Sequence, residues 1–136
     1  MKIHRGRLPG AATQHRTDTF TGTVWADPVL AERQPPCTVN TVCFTPGART
    51  YWHSHGAGQI LLVTHGRGFV HTRDEEQSMI TVGDVVYVPP GEEHWHGAAD
   101  DTMLVHVAIS LGETRWLDEV ADDLYRRVLA AGGSDR

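Results

Sequence analysis

Turn signals break this chain at short intervals. D27-P28, P35-P36, P46-G47, H65-G66-R67-G68, R73-D-E-E76, V82-G83-D84, P89-P-G91 and A98-A-D-D101 separate short runs rich in Val, Thr, Ile, Tyr and Trp. Runs of that length and composition are strands, and their regular spacing predicts an all-β sandwich or barrel. No helical period appears before Asp118. Only A121-D-D-L-Y-R-R-V-L-A-A131 reads as a helix, with acids in its first turn and Gly132-Gly133 after its end. Leu124 and Val128, four residues apart, would dock it on the barrel.

Alternation phases the strands, because successive side chains face opposite sides of a sheet. In Y51-W-H-S-H55, His53 and His55 share a face and Trp52 takes the other. In H94-W-H96 both histidines share a face and Trp95 opposes them. In T38-V-N-T-V-C-F44 the set Asn40, Val42 and Phe44 points one way; in L104-V-H-V-A-I-S110, so do Leu104, His106, Ala108 and Ser110. Trp52 and Trp95 are therefore expected to pack or to face an interface. His65 and His71 flank the G-R-G sequence and are expected at the surface.

The chain has 136 residues, 40% of them hydrophobic and 21% charged, which fits one domain with one core. Residues 1–19 are polar and read as an N-terminal arm, either disordered or laid along a neighbouring subunit. Residues 20–131 form the barrel with its helix, and 132–136 a flexible tail. The net charge of −5 comes with no basic block, which argues against a nucleic-acid partner. The apolar runs, such as 59–63 and 84–88, are too short to span a membrane, and the N-terminus lacks a secretory apolar core. Cys37 and Cys43 form no disulfide framework or CxxC pair and read as buried or half-buried thiols. A cytoplasmic protein is expected.

Seven of the nine histidines fall within residues 53–106. Two histidines at i and i+2 on a strand point the same way, about 7 Å apart along the chain. That arrangement suits ligation of one metal ion, for which neutral imidazole is the commonest protein ligand. His94 follows the turn P89-P-G91, which can aim it at the same centre, and Gln59 can add a carbonyl oxygen or leave its position to water. A neutral amide leaves a divalent ion its full charge, a better match to Lewis-acid chemistry than to an iron oxygenase site with its carboxylate ligand. His96 shares a face with His94, and His106 with Ala108 and Ser110, so both are expected to reach the same cavity as candidate bases. Asn40, Val42 and Ser110 would line its mouth, while Arg49 and Thr50 either line the pocket or make barrel contacts.

The segment from Gly47 to Gly66 resembles the first cupin motif, G-x5-H-x-H-x3-E-x6-G, with Gln59 in place of Glu. The segment from Gly83 to Ala98 resembles the second, G-x5-P-x-G-x2-H-x3-N, with Ala98 in place of Asn. The resemblance implies a single-domain cupin, an antiparallel β-barrel or jelly roll with a short C-terminal helix, whose metal ligands are His53, His55, Gln59 and His94. F20-T-G-T-V, F44-T-P-G-A-R-T50, G83-D-V-V86, P90-G-E, H94-W-H-G-A-A99 and Y125-R-R127 further resemble the small manganese-dependent cupin hydroxynitrile lyases, over residues 17–130.

That likeness implies reversible cleavage of a cyanohydrin to an aldehyde and cyanide, through a metal-bound alkoxide and a histidine base. His106 is the first choice of base and His96 the second. Asn40 departs from the small residue or histidine associated with the better lyases. Mn²⁺ is the implied ion, with Fe²⁺, Ni²⁺ or Zn²⁺ as alternatives that an imidazole site also accepts. The alternative activities are a quercetinase-like dioxygenase and a non-catalytic small-molecule-binding cupin. The expected partners are a small-molecule substrate and a second or fourth copy of the chain, as a homodimer or homotetramer packed through Trp52 and Val-rich strand faces.

Overall fold

Hydrogen bonding between the predicted runs produces twelve strands and one helix in the computed structural model, which describes residues 1–132. In chain order these are β1 (Gln14–Arg16), β2 (Phe20–Thr21), β3 (Val24–Arg33), β4 (Pro36–Phe44), β5 (Arg49–Thr50), β6 (His53–His55), β7 (Gln59–Thr72), β8 (Gln77–Thr81), β9 (Val85–Val88), β10 (His94–Ala98), β11 (Leu104–Leu111), β12 (Thr114–Trp116) and α1 (Asp122–Gly132). Every pairing is antiparallel. One sheet runs β1-β3-β4-β11-β7-β9. The other is built around β10, which pairs with β5, β6 and the second half of β7. The sheets form a near-closed barrel because β7 belongs to both.

The expected turn at H65-G66-R67-G68 is therefore a correction: β7 passes through it without reversing. Gly66 takes φ +74°, and its partner strand shifts register between Val105 and His106. The extra residue bends the strand from one sheet into the other instead of ending it. D27-P28 likewise lies inside β3, at a register shift between Pro28 and Leu30. Pro28 is tolerated there because a bulge needs no ladder donor at that position.

Alternation sorts the apolar side chains into two clusters. Val24, Ala26, Val42, Phe44, Leu61, Val63, Ile80, Leu104 and Ala108 fill the barrel interior. Trp52, Phe69, Met79, Trp95, Tyr125 and Val128 fill the space between the second sheet and α1. The helix starts and ends one residue later than its pattern suggested, and Gly132, placed in the tail by sequence, closes it. The rest of that tail, 133–136, lies outside the described residues. Arg49 secures the start of α1, its Nη2 donating to the Val120 carbonyl at 3.0 Å and to Asp122 Oδ1 at 2.6 Å. Tyr125 Oη donates to the Ala98 carbonyl at 2.7 Å.

Two surface expectations change with this packing. Trp52 is 4% exposed beneath the helix, so it offers nothing to a second copy. His71 is 1% exposed, because the alternation of β7 continues past Gly66 and turns it toward the helix side. There Trp95 Nε1 donates to His71 Nδ1 at 3.1 Å. Among the described residues no helix is long and apolar enough to cross a membrane.

The close approach at the β7 bend yields a test. A Cβ added at Gly66 would lie 1.8 Å from the Met103 carbonyl oxygen, whereas one added at Gly83, φ +91°, meets nothing within 4 Å. Gly66→Ala is expected to cost about 3 kcal/mol or more from strain plus clash. Gly83→Ala carries only the conformational penalty of about 1–2 kcal/mol. Urea unfolding midpoints of the two variants read the difference.

Candidate metal centre

The site is assembled by one cross-strand pair. His53 on β6 lies opposite His94 on β10, and side chains directly opposite on one face are within contact range. Their ring centroids are 4.3 Å apart. His55, two residues along β6, stands 5.0 Å from His53 and 5.8 Å from His94. His96, two residues along β10, stands 5.3 Å from His53 and 5.7 Å from His94. Gln59 enters from the start of β7, and His106 and Ser110 from β11.

Ring orientation is set from behind. His53 Nδ1 donates to the Tyr51 carbonyl at 2.9 Å, and His94 Nδ1 donates to the Glu92 carbonyl at 3.0 Å. A carbonyl only accepts, so both rings carry their proton on Nδ1 and turn the Nε2 lone pair inward, the tautomer a ligand needs. His55 Nδ1 meets Thr114 Oγ1 at 3.0 Å. Gln59 Nε2 donates to Ser110 Oγ at 3.1 Å, which turns its Oε1 toward His94 Nε2 at 2.8 Å. Two lone pairs that close repel unless a cation lies within reach of both, or the amide turns over to donate its nitrogen. The 2.8 Å spacing suits adjacent ligands on a small cation, about 3 Å apart for octahedral bonds of about 2.1 Å. His55 Nε2 and His96 Nε2 are buried without a hydrogen-bond partner. These donors fit a divalent ion.

Burial fixes the charge of the cluster. Desolvation pushes the imidazoles of His55, His94 and His106 from the ordinary 6.5 down to about 4. His53 and His96 are also pushed well down by burial, then by neighbouring imidazoles. Five neutral rings thus present lone pairs, not charges, near neutral pH. Four of them, His53, His55, His96 and His106, border a cavity of about 350 Å³ that has no Asp or Glu among its described lining residues.

The structure brings the sequence-derived site residues together. Ring nitrogens of His53, His94 and His96 all lie within 4.8 Å of one another. His55, a ligand by the motif, and His96, read as a base, flank His53 and His94 at similar ring distances. His96 Nδ1 is also 3.0 Å from His106 Nε2, so the two candidate bases form a hydrogen-bonded pair. Asn40, Val42 and Ser110 line the cavity, as does Thr50, while Arg49 points to the helix. Sequence reasoning missed Arg16 and Trp116, which also line the cavity. The Trp116 ring lies 4.7 Å from that of His53, tilted by 35°. Arg16 is signalled only by its alternation with Gln14 in a three-residue strand.

Residues 40–110 match the Cupin domain family, Cupin_2. The (R)-mandelonitrile lyase of Granulicella tundricola is 44% identical over 115 residues, covering 81% of this chain and 88% of that protein. The acireductone dioxygenase of Gluconobacter oxydans is 29% identical over 79 residues, covering 55% of this chain and 42% of that protein. Among solved structures, a cupin-like protein from Thermotoga maritima superposes with a TM-score of 0.79 at 40% identity, over 94% of this chain and 97% of that one.

The lowered imidazoles predict how metal-free protein responds to acid. Between pH 6.5 and about 4 the unfolded chain binds protons that the folded cluster refuses. Stability is therefore fully present above that window and falls as pH drops through it. Asp118 and Asp122, held below the usual 3.8 by hydrogen bonds from Arg73 and Arg49, lose their contribution only below the window. Thermal unfolding midpoints of chelator-treated protein should decline from pH 6.5 to 4; a flat profile would contradict a buried neutral cluster.

Proposed function

The chain belongs to the cupin family, and within that family we propose that it is a metal-dependent lyase that reversibly cleaves a cyanohydrin to an aldehyde and hydrogen cyanide. The observation that carries this reading is the donor set: neutral imidazoles and an amide oxygen at a cavity with no carboxylate among its described lining residues. The likeness to an (R)-mandelonitrile lyase over most of both chains supports it. Bound by His53, His55, His94 and Gln59, a divalent ion, Mn²⁺ in our reading, would supply a Lewis acid of undiminished charge for the substrate oxygen.

The chain's own groups handle the proton. The His96–His106 pair accepts the hydroxyl proton of the cyanohydrin. The O–H electron pair becomes the second bond of the aldehyde carbonyl, and the C–C pair leaves with cyanide. The pair then returns its proton to cyanide. Burial disfavours the charged imidazolium, which promotes that return. Phe44 packs 5.2 Å from His106 and 5.7 Å from His96, excluding water from the pair. Because the two rings share one hydrogen bond, their protonation belongs to the pair.

A dioxygenase reading has one observation in its favour, the partial likeness to an acireductone dioxygenase. Oxygen uptake separates it from the lyase reading. Mn²⁺-loaded protein with racemic mandelonitrile at mildly acidic pH should release benzaldehyde without consuming oxygen. His106→Ala should lower kcat/KM by about 10²–10⁴, and His53→Ala should lose the metal. Oxygen consumption without aldehyde release would overturn the lyase reading.

A further inference from the structure

The far end of the cavity carries a charge that the proton chemistry does not use. β1 pairs with β3, Arg16 opposite Val24 and Gln14 opposite Ala26, and Val24 and Ala26 face the barrel interior. Alternation turns Gln14 and Arg16 into the cavity, while His15 stacks outward on Trp25 at 4.4 Å. Arg16 is half-buried there, and its Nε is buried without a partner. Its Nη2 donates to Asn40 Oδ1 at a long 3.3 Å.

Two other cations of the arm are neutralised, Lys2 by Glu32 and Arg7 by Asp27, and Arg5 is exposed to solvent. Arg16 has no ion pair among the described residues, and it is the one Arg or Lys among the described residues that line the cavity. Burial even lowers its pKa, with no opposing charge nearby to offset the effect. A desolvated guanidinium is costly unless an anion completes it, and its planar fork matches a carboxylate.

Resting on the same reading of the cavity as the reaction site, we propose that Arg16, assisted by Asn40, binds a carboxylate at the far end of the substrate. The substrate class is then a hydroxyl or carbonyl compound that also bears a carboxylate. Asn40 pairs with Ala108 on β11, the strand that carries His106. One strand spacing is about 4.8 Å, so the reacting carbon and the carboxylate are separated by a short body, on the order of 5–10 Å. Ala26, Pro28, Leu30 and Val42 line the space between with apolar surface, which suits an aromatic or aliphatic body. Asn40 and Arg16 then act together in specificity.

Calorimetric titration of Mn²⁺-loaded protein with 4-(hydroxymethyl)benzoate and with its neutral isostere 4-(hydroxymethyl)benzamide tests this directly. The acid is expected to bind at least about tenfold more tightly, the scale of one charge-assisted hydrogen bond. Arg16→Gln should abolish that preference while leaving the amide's affinity in place, which also reports an intact fold. Arg16→Lys should keep part of the preference, retaining charge without the fork. Equal binding of the two ligands, no measurable binding of the acid, or a preference that survives Arg16→Gln (a carboxylate seated on the metal) would each overturn the proposal. Cleavage of mandelonitrile and of its 4-carboxylate is scored separately. Carboxylate preference without cleavage sinks the lyase reading alone, and cleavage without preference sinks the Arg16 assignment alone.

Discussion

The pairing of His53 with His94 across β6 and β10 is the contact on which the rest of the centre depends. Both rings face the barrel interior, and each is held from behind by a backbone carbonyl. The same strand phase sends Trp95 to the opposite face, where it packs with Trp52, Phe69 and Tyr125 under α1. A one-residue slip of β10 would exchange the two faces, burying an indole in the cavity and placing imidazoles under the helix. The apolar packing beneath the helix and the orientation of the histidines are therefore set by one register.

Desolvation governs the chemistry that follows. Five buried imidazoles lie close together, and burial lowers each of them. A cluster that must stay neutral can supply lone pairs to a cation, and it can pass a proton without retaining it. A carboxylate at position 59 would have neutralised part of a bound ion's charge; glutamine contributes an oxygen and no charge. Its amide is oriented by Ser110, the residue directly opposite it in the β7–β11 pairing. The cavity thus combines a neutral donor end with a cationic end at Arg16, an asymmetry that selects for an anionic substrate.

Much of the fold was legible because alternation and turn chemistry are local. The turn signals at 35–36, 73–76, 82–84, 89–91 and 98–101 all fall at strand ends. Those at 27–28 and 65–68 fall inside strands, because a glycine or proline that marks a turn also marks a bulge, and only the partner strand distinguishes the two. His71 was misplaced for the same reason: its exposure depends on whether β7 continues past Gly66. Asn40, Val42, Ser110, His96 and His106 reach the cavity as their strand phases suggested. Arg16 did not emerge, since a three-residue strand in a polar arm carries almost no periodic signal.

The sequence by itself determined which side chains share a face. Side-chain period is a property of the single strand, so His53 with His55 and His94 with His96 needed no knowledge of neighbours. It also determined the chemistry of the donors, through the glutamine at position 59 and the histidines around it. Only the tertiary structure decided how those faces meet: that His96 joins His53 and His94, that His106 bonds to His96, and that an arm strand carries Arg16 to the cavity. These are distances between strands far apart in the chain. They follow from register, barrel closure and the bend at Gly66, which are set by packing among all the strands at once.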